Sequence, residues 1–306
     1  MDYALTHLEL FHHFEHHLGD ILGPDPGVGG IAIKRTIQES FKAPYLMDEL
    51  LAFSAAHKSI LDPSRKDIYL TEATNLQTRG LSRFNAAQAK LSDDNCMAIL
   101  MFSIILGYHV LFDTFLVQND FTAFMSKMVH CLRLHRGIHI IASNSWKIIH
   151  KELFDCDSSY MEPVEPVKPG DQCAPLLDLL DESELGENAK EDCREAVNLL
   201  QFICSRQRTG TSQVTLSIQE WAVRIPAGYV ELLNQLQPEA LVILAYYATL
   251  LHHCRSYWTI GDAGAYLIRS INCHLGGYFA RWLEWPNQVL AADSTHGSAA
   301  DYETVA

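Results

Sequence analysis

The chain has 306 residues, 48% of them apolar, and carries 37 acidic against 23 basic side chains for a formal charge of −14. A folded chain of this length buries about 75% of its unfolded surface, so a full core can form without disulfide or metal staples, and its apolar content excludes general disorder. The acidic excess, with no basic cluster to reverse it locally, disfavours grip on a phosphate backbone and predicts no direct nucleic-acid contact from this chain.

Residues 2–22 place Leu5, Leu8, Phe11, Leu18 and Leu22 near one helical face, and Gly23-Pro24 should end that helix. The opening MDYALTHLELFHHF lacks the basic start and cleavage pattern of a secretory signal, so a nuclear or cytoplasmic protein is expected and not a secreted one. A helix over 31–41 follows the loop GPDPGVGG, and Pro44 opens the strongly helical PYLMDELLAFSAAHKSIL, which stops before Asp62-Pro63. Ser64 can cap the next helix, in which Tyr69, Ala73, Leu76, Gly80 and Phe84 recur every three or four residues. Beyond the break at Leu91-Ser92-Asp93-Asp94, the stretch from Cys96 to Phe115 is almost wholly apolar, which marks a buried helix. Its longest uninterrupted apolar run stops at Gly107, short of the ~18 residues of a membrane span, so no span is expected. Helices over 120–136 and 143–154 complete the first half.

The middle differs in kind. Residues 155–175 hold Pro163, Pro166, Pro169 and Pro175 among acidic and small residues and predict an irregular loop. Residues 178–192 contain seven acids against one lysine and suit a solvated helix pair. Further helices are predicted over 191–208 and 215–224, with Pro226 starting another. From Ala240 to Leu251 every helical face is apolar apart from Thr249 and the hydroxyls of Tyr246 and Tyr247, so this helix must be sheathed by others. Leu267, Ile271 and Leu275 then repeat at helical spacing ahead of an aromatic cluster of Tyr278, Phe279, Trp282 and Trp285, and residues 292–306 read as a disordered tail. No segment alternates as a strand would. The fold class expected is all-α, one multi-helix domain over 1–291.

Eight cysteines, at 96, 131, 156, 173, 193, 204, 254 and 273, include no C-x-x-C pair and read as reduced intracellular thiols. His12-His13-Phe14-Glu15-His16-His17 matches H-x-x-E-H and sets imidazoles at i, i+4, but the further carboxylate that a zinc site of this type requires is not identifiable. Surface or packed histidines are therefore expected there, with no metal. GVGG at 27–30 lacks a preceding strand and a lysine, and there is no G-x-S-x-G elbow, so neither a nucleotide nor any other cofactor is expected.

On the helix from Cys96 to Phe115, Phe102, Leu106, His109 and Asp113 share one face, and His109 and Asp113 form an i, i+4 imidazole-carboxylate pair. Buried unpaired they would cost several kcal/mol, so they should bond to each other, to a neighbouring helix or to something bound. Tyr246 and Tyr247 need hydroxyl partners, which could be packing partners or the polar end of a ligand. His253 shares a face with Tyr246, and Met101, Met125 and Met128 could form an adaptable wall or plain core.

The order of LELFHHFEHHLG, PYLMDELLAFSAAHKSI, YLTEATNLQTRGLSRFNAA, MVHCLRLHRGI, LVILAYYATLLH and LGGYFARWLEWPNQVL resembles the regulatory domain of fungal zinc-cluster transcription factors, in the branch of the sterol uptake control protein. The resemblance spans residues 5 to 290. It implies an all-helical domain enclosing a largely apolar cavity that takes a lipophilic, sterol- or terpenoid-like molecule and acts in transcription, of lipid or secondary metabolism. The basic, six-cysteine DNA-binding segment of that family has no counterpart in this chain, so its DNA-reading residues cannot be carried over. The ligand contacts expected are Phe102, Leu106, His109, Phe112, Met128, Tyr246, Tyr247, His253 and Trp258, with the two apolar helices facing a common cavity closed by Trp258, Trp282 and Trp285. A protein partner or a second copy of the chain would supply whatever the assembly lacks. The alternative is a free-standing enzyme of secondary metabolism that uses the pocket to hold one reactive conformer for a cyclisation, pericyclic or isomerisation step, with His109, Asp113 and Tyr246 as its catalytic groups.

Overall fold

The structure is a computed structural model that describes residues 4–17, 34–87, 92, 94–116, 118, 120–154, 170–208 and 214–297. Among these it is all-α, with no strand. In order, the helices are α1 (Leu5–His17), α2 (34–40), α3 (Pro44–Leu61), α4 (Lys66–Ala87), α5 (Cys96–Phe115), α6 (Phe121–Phe154), α7 (Ala174–Glu182), α8 (Glu187–Arg208), α9 (Val214–Arg224), α10 (Ala227–Asn234), α11 (Pro238–His253), α12 (Ala263–Leu275) and α13 (Glu284–Gly297). Contacts group them into two compact units. One takes in residues 1–112 and 134–164, the other 113–133 and 165–306.

The first unit is built on α3. Pro44 sits in its first turn, where its missing N–H costs nothing, and the extended Ala43 precedes it. Every residue from Tyr45 to Ala56 is buried, against α1 on one side and α4 on another. Gly80 of α4 permits the close approach: a Cβ there would stand 3.1 Å from the Tyr45 carbonyl oxygen. α5 joins through an aromatic contact in which Tyr45 meets Phe84 edge-on at 5.3 Å and Phe102 at 5.2 Å, while Phe84 and Phe102 stack at 4.9 Å.

In the second unit α11 holds the corresponding place. All of Ala240 to His252 is buried, and α7, α8, α9, α10, α12 and α13 all touch it. This is the sheathed helix that its composition predicts. Gly264 lets α12 lie almost against its backbone, since a Cβ at that position would come within 2.4 Å of the His252 amide nitrogen. Gly276, at φ +66°, ends α12 in the left-handed region that favours glycine.

α5 is long and apolar enough, by length and composition, to cross a membrane, but 78% of that stretch is buried in the protein, as in a core helix. Three boundaries differ from the sequence-based expectation. α6 is one continuous helix and not two, because a single glycine, Gly137, costs only about 1 kcal/mol against alanine and cannot break it. Pro175 belongs to the first turn of α7 and not to the preceding loop. α13 continues to Gly297, so the helix-favouring Ala291-Ala292 runs into the stretch expected to be an unstructured tail. The Gly23-Pro24 stop, residues 155–169 and residues 298–306 lie outside the described residues.

Candidate functional site

Two consecutive acids, Asp48 and Glu49, sit in the middle of α3 and are fully buried. Neighbouring residues point about 100° apart on a helix, so the two carboxylates serve different seams. Asp48 faces α4, where Arg79 Nη2 donates to Oδ1 at 2.7 Å and Arg83 Nη1 to Oδ2 at 2.6 Å. Both arginines leave about a third of their side chains exposed, 34% each. Glu49 faces α5, and His109 Nδ1 lies 2.9 Å from its Oε1 with both side chains out of solvent.

Glu49 accounts for only half of its acceptor capacity. Its Oε2 is buried and has no hydrogen-bond partner among the described residues. Around the pair the lining is apolar and aromatic: the Phe53 ring stands 6.0 Å from His109 and 6.5 Å from Tyr108. An acceptor left unmade in such surroundings costs about 1–3 kcal/mol, more if charged. Near the start of α3, burial pushes the Tyr45 phenol up to about 12, so it stays a neutral donor. Tyr45 also lines an open groove of about 530 Å³ with Lys42, Arg83, Asn95 and Ala98, within the range of small-ligand sites.

For His109 and Asp113 the sequence left open each other, a neighbouring helix or a bound molecule; on His109 Nδ1 the carboxylate is Glu49, from the neighbouring helix α3. Asp113 is half-buried, and so is Leu106, while Phe102 and Phe112 are buried. Phe102 is taken up in the contact with Tyr45 and Phe84.

The remaining expected site residues belong to the second unit. Tyr247 stacks on Trp221 at 4.1 Å and donates its hydroxyl to the Ile218 carbonyl at 3.1 Å. Tyr246 is buried with its ring 4.9 Å from Trp285, and burial raises its phenol. Met128 is fully buried, Trp258 is half-buried, and His253 is exposed on the surface beyond the sheathed part of α11. Of the tryptophans expected at the corner, Trp285 meets Tyr246 and Trp282 packs on Phe279 at 5.7 Å under the Arg281 guanidinium.

On α1 the histidines of the H-x-x-E-H pattern pair with each other and with α3. His12 stacks on His16 at 4.1 Å, and His13 Nε2 lies 3.1 Å from His57 Nδ1. Burial, then repulsion by His57 and His17, lowers His13 to about 4; burial and His17 do the same to His57. Among the described residues no group of three or more histidine, cysteine or carboxylate side chains is placed to hold a metal ion.

No family model matches the chain. A curated protein of Gibberella zeae, named "Zn(2)-C6 fungal-type transcription factor", is 21% identical over 316 aligned positions. The alignment covers 95% of this chain and 63% of that protein, so the chain spans less than two thirds of the relative's length.

Proposed function

We propose that this chain is the ligand-sensing part of a fungal transcription regulator, responding to a lipophilic molecule of sterol or terpenoid type. The name of the Gibberella zeae relative supports the regulatory side of this reading. Its ligand side rests on one observation, the buried Glu49–His109 pair with an unused carboxylate oxygen in an apolar helix seam. A hydroxyl on an otherwise apolar molecule supplies the donor that Glu49 Oε2 lacks, and Phe102, Leu106 and Phe112 on α5 would contact its hydrocarbon body. In the second unit, Met128, Tyr246, Tyr247 and Trp258 remain contacts to test by substitution, with His253 at their surface end. The stretch 1–291 would act as one regulatory module of lipid or secondary metabolism in the nucleus or cytoplasm, with DNA contacts supplied from outside these residues.

The experiment compares a free-hydroxyl sterol with its acetate ester by native mass spectrometry and fluorescence titration. The expected result is binding of the alcohol, loss of at least about tenfold in affinity for the ester, and a similar loss for the alcohol in Glu49→Gln and His109→Leu. Equal affinities across all four combinations would remove Glu49 as the anchor; no binding of either compound would remove the ligand reading. The same pair favours a second reading, an enzyme that folds a lipophilic intermediate, because a buried carboxylate holds an imidazole in one tautomer for proton transfer. Of its proposed groups, His109 belongs to the first unit, and Asp113 and Tyr246 to the second. Conversion of a bound terpenoid or polyketide to a new product, lost in His109→Leu, would support catalysis over sensing.

A further inference from the structure

Within the second unit two thiols face each other. Cys173 precedes the first residue of α7, Cys204 lies in the last turns of α8, and the two thiols are close enough for each to shift the other. Cys173 is 1% exposed and Cys204 7%.

The backbone at this point is fastened by one face of α8. Gly170 N–H donates to Ser205 Oγ at 3.0 Å and Cys173 N–H to Gln201 Oε1 at 2.8 Å, while Gln201 Nε2 donates to Gln172 Oε1 at 3.2 Å. Gln201 and Ser205 are one turn apart, with Cys204 beside them, and Ser205 Oγ donates back to the Gln201 carbonyl at 2.8 Å. Residues 170–173 are thus held in register against α8 by contacts independent of sulfur.

We propose that Cys173 and Cys204 are a redox site that a hydroperoxide converts to an intramolecular disulfide. In the first step the Cys204 sulfur, the more exposed of the two, attacks the distal oxygen of the hydroperoxide. The O–O bond breaks, an alcohol or water leaves with the thiol proton, and Cys204 becomes a sulfenic acid. Next the Cys173 sulfur attacks the Cys204 sulfur, the S–O bond breaks, and water leaves with the Cys173 proton. In total two thiols are oxidised by two electrons and one peroxide is reduced. Cys204, the more exposed of the two, therefore meets the oxidant first, and Cys173 resolves it. In a reducing compartment the dithiol is the resting form, and the disulfide forms under peroxide load.

The test uses the full chain, freed of reductant, exposed in parallel to hydrogen peroxide and to cumene hydroperoxide, then alkylated and mapped without reduction. The expected product is a Cys173–Cys204 cross-linked peptide about 2 Da lighter than the sum of its reduced halves, reversed by dithiothreitol. A faster reaction with cumene hydroperoxide would identify an apolar peroxide as the preferred oxidant, and a faster one with hydrogen peroxide a small polar oxidant. The closed loop should raise the melting temperature by roughly 5 °C. Cys273→Ser, which removes an exposed thiol, should leave the cross-link intact, and Cys204→Ser should abolish it. Recovery of both Cys173 and Cys204 as free thiols at a dose that oxidises Cys273 in the same wild-type sample would overturn the proposal. So would pairing of either thiol with a different cysteine, or arrest of Cys204 as a sulfinic acid.

Discussion

The hub helices of the two units are alike in burial and opposite in chemistry. α3 is buried from Tyr45 to Ala56 and holds two adjacent carboxylates in that stretch; the buried stretch of α11, Ala240 to His252, holds none. The acids of α3 are met by guanidinium and imidazole groups from neighbouring helices, whereas in the α11 unit hydroxyl and indole groups end on carbonyl oxygens: Tyr247 on Ile218, Tyr229 on Ala240, Trp221 on Ala196. Buried ion pairs add little net stability compared with apolar packing, yet breaking one side is costly, because the remaining charge has no water to return to. α3 is thus fixed in rotation by partners it cannot lose, and α11 by shape and by neutral bonds that can be lost singly.

The largest effect should come from removing both arginines that meet Asp48. Arg79→Ala with Arg83→Ala leaves a fully buried carboxylate without a guanidinium and should cost about 3–5 kcal/mol in denaturant unfolding. Adding Asp48→Asn should return most of that loss, because the neutral amide no longer needs a counter-ion. If the double variant loses under about 1 kcal/mol, water reaching the third-exposed arginines already screens the cluster, and the contrast between the hubs is one of composition only.

How much of this could be read from the residues depends on the range of the interaction. Helix α11 was legible because its apolar residues cover all faces, and such a helix has to be enclosed whatever encloses it. The end of α3 was legible because Asp62-Pro63 is a local stop. That His109 could meet a neighbouring helix was legible, but which group it meets was not, because Glu49 is 60 residues away and becomes a neighbour only when α3 and α5 pack. A signal did exist, in that Asp48-Glu49 interrupts PYLMDELLAFSAAH, a stretch apolar on every face, and two acids that cannot reach solvent must each have a partner. Arg79 and Arg83, one turn apart on the next helix, were the matching half of that signal.

An intermediate effect belongs to pH. Burial holds His13 and His57 at about 4, against about 6.5 for an unfolded histidine, so below pH 6.5 the unfolded chain binds protons that the folded chain refuses. The contribution is fully present above 6.5 and is lost as pH falls towards 4. Its size should be at most about 3 kcal/mol per histidine and less where water screens the pair. His57→Gln should flatten the fall in stability between pH 6.5 and 4, measured by urea unfolding at fixed ionic strength. An unchanged slope would place the acid sensitivity elsewhere in the molecule.

The smallest effect tests the neutral hub. In Tyr247→Phe the ring can keep its stack on Trp221, and only the hydroxyl bond to the Ile218 carbonyl is lost, so the cost should be about 1 kcal/mol, seen as a lower urea midpoint at unchanged slope. Burial holds the Tyr247 phenol well above its ordinary value, with Cys131 and Cys254 adding to the shift, so it remains neutral in the folded state throughout the range in which His13 and His57 titrate. The difference between wild type and variant should therefore be constant from about pH 5 to 9. It should shrink only above about 10, where the unfolded tyrosine ionises and the wild type loses stability that the phenylalanine variant keeps. A difference that instead varied between pH 5 and 7 would mean that α11 senses a titrating group, and the separation of a charged hub from a neutral one would not hold.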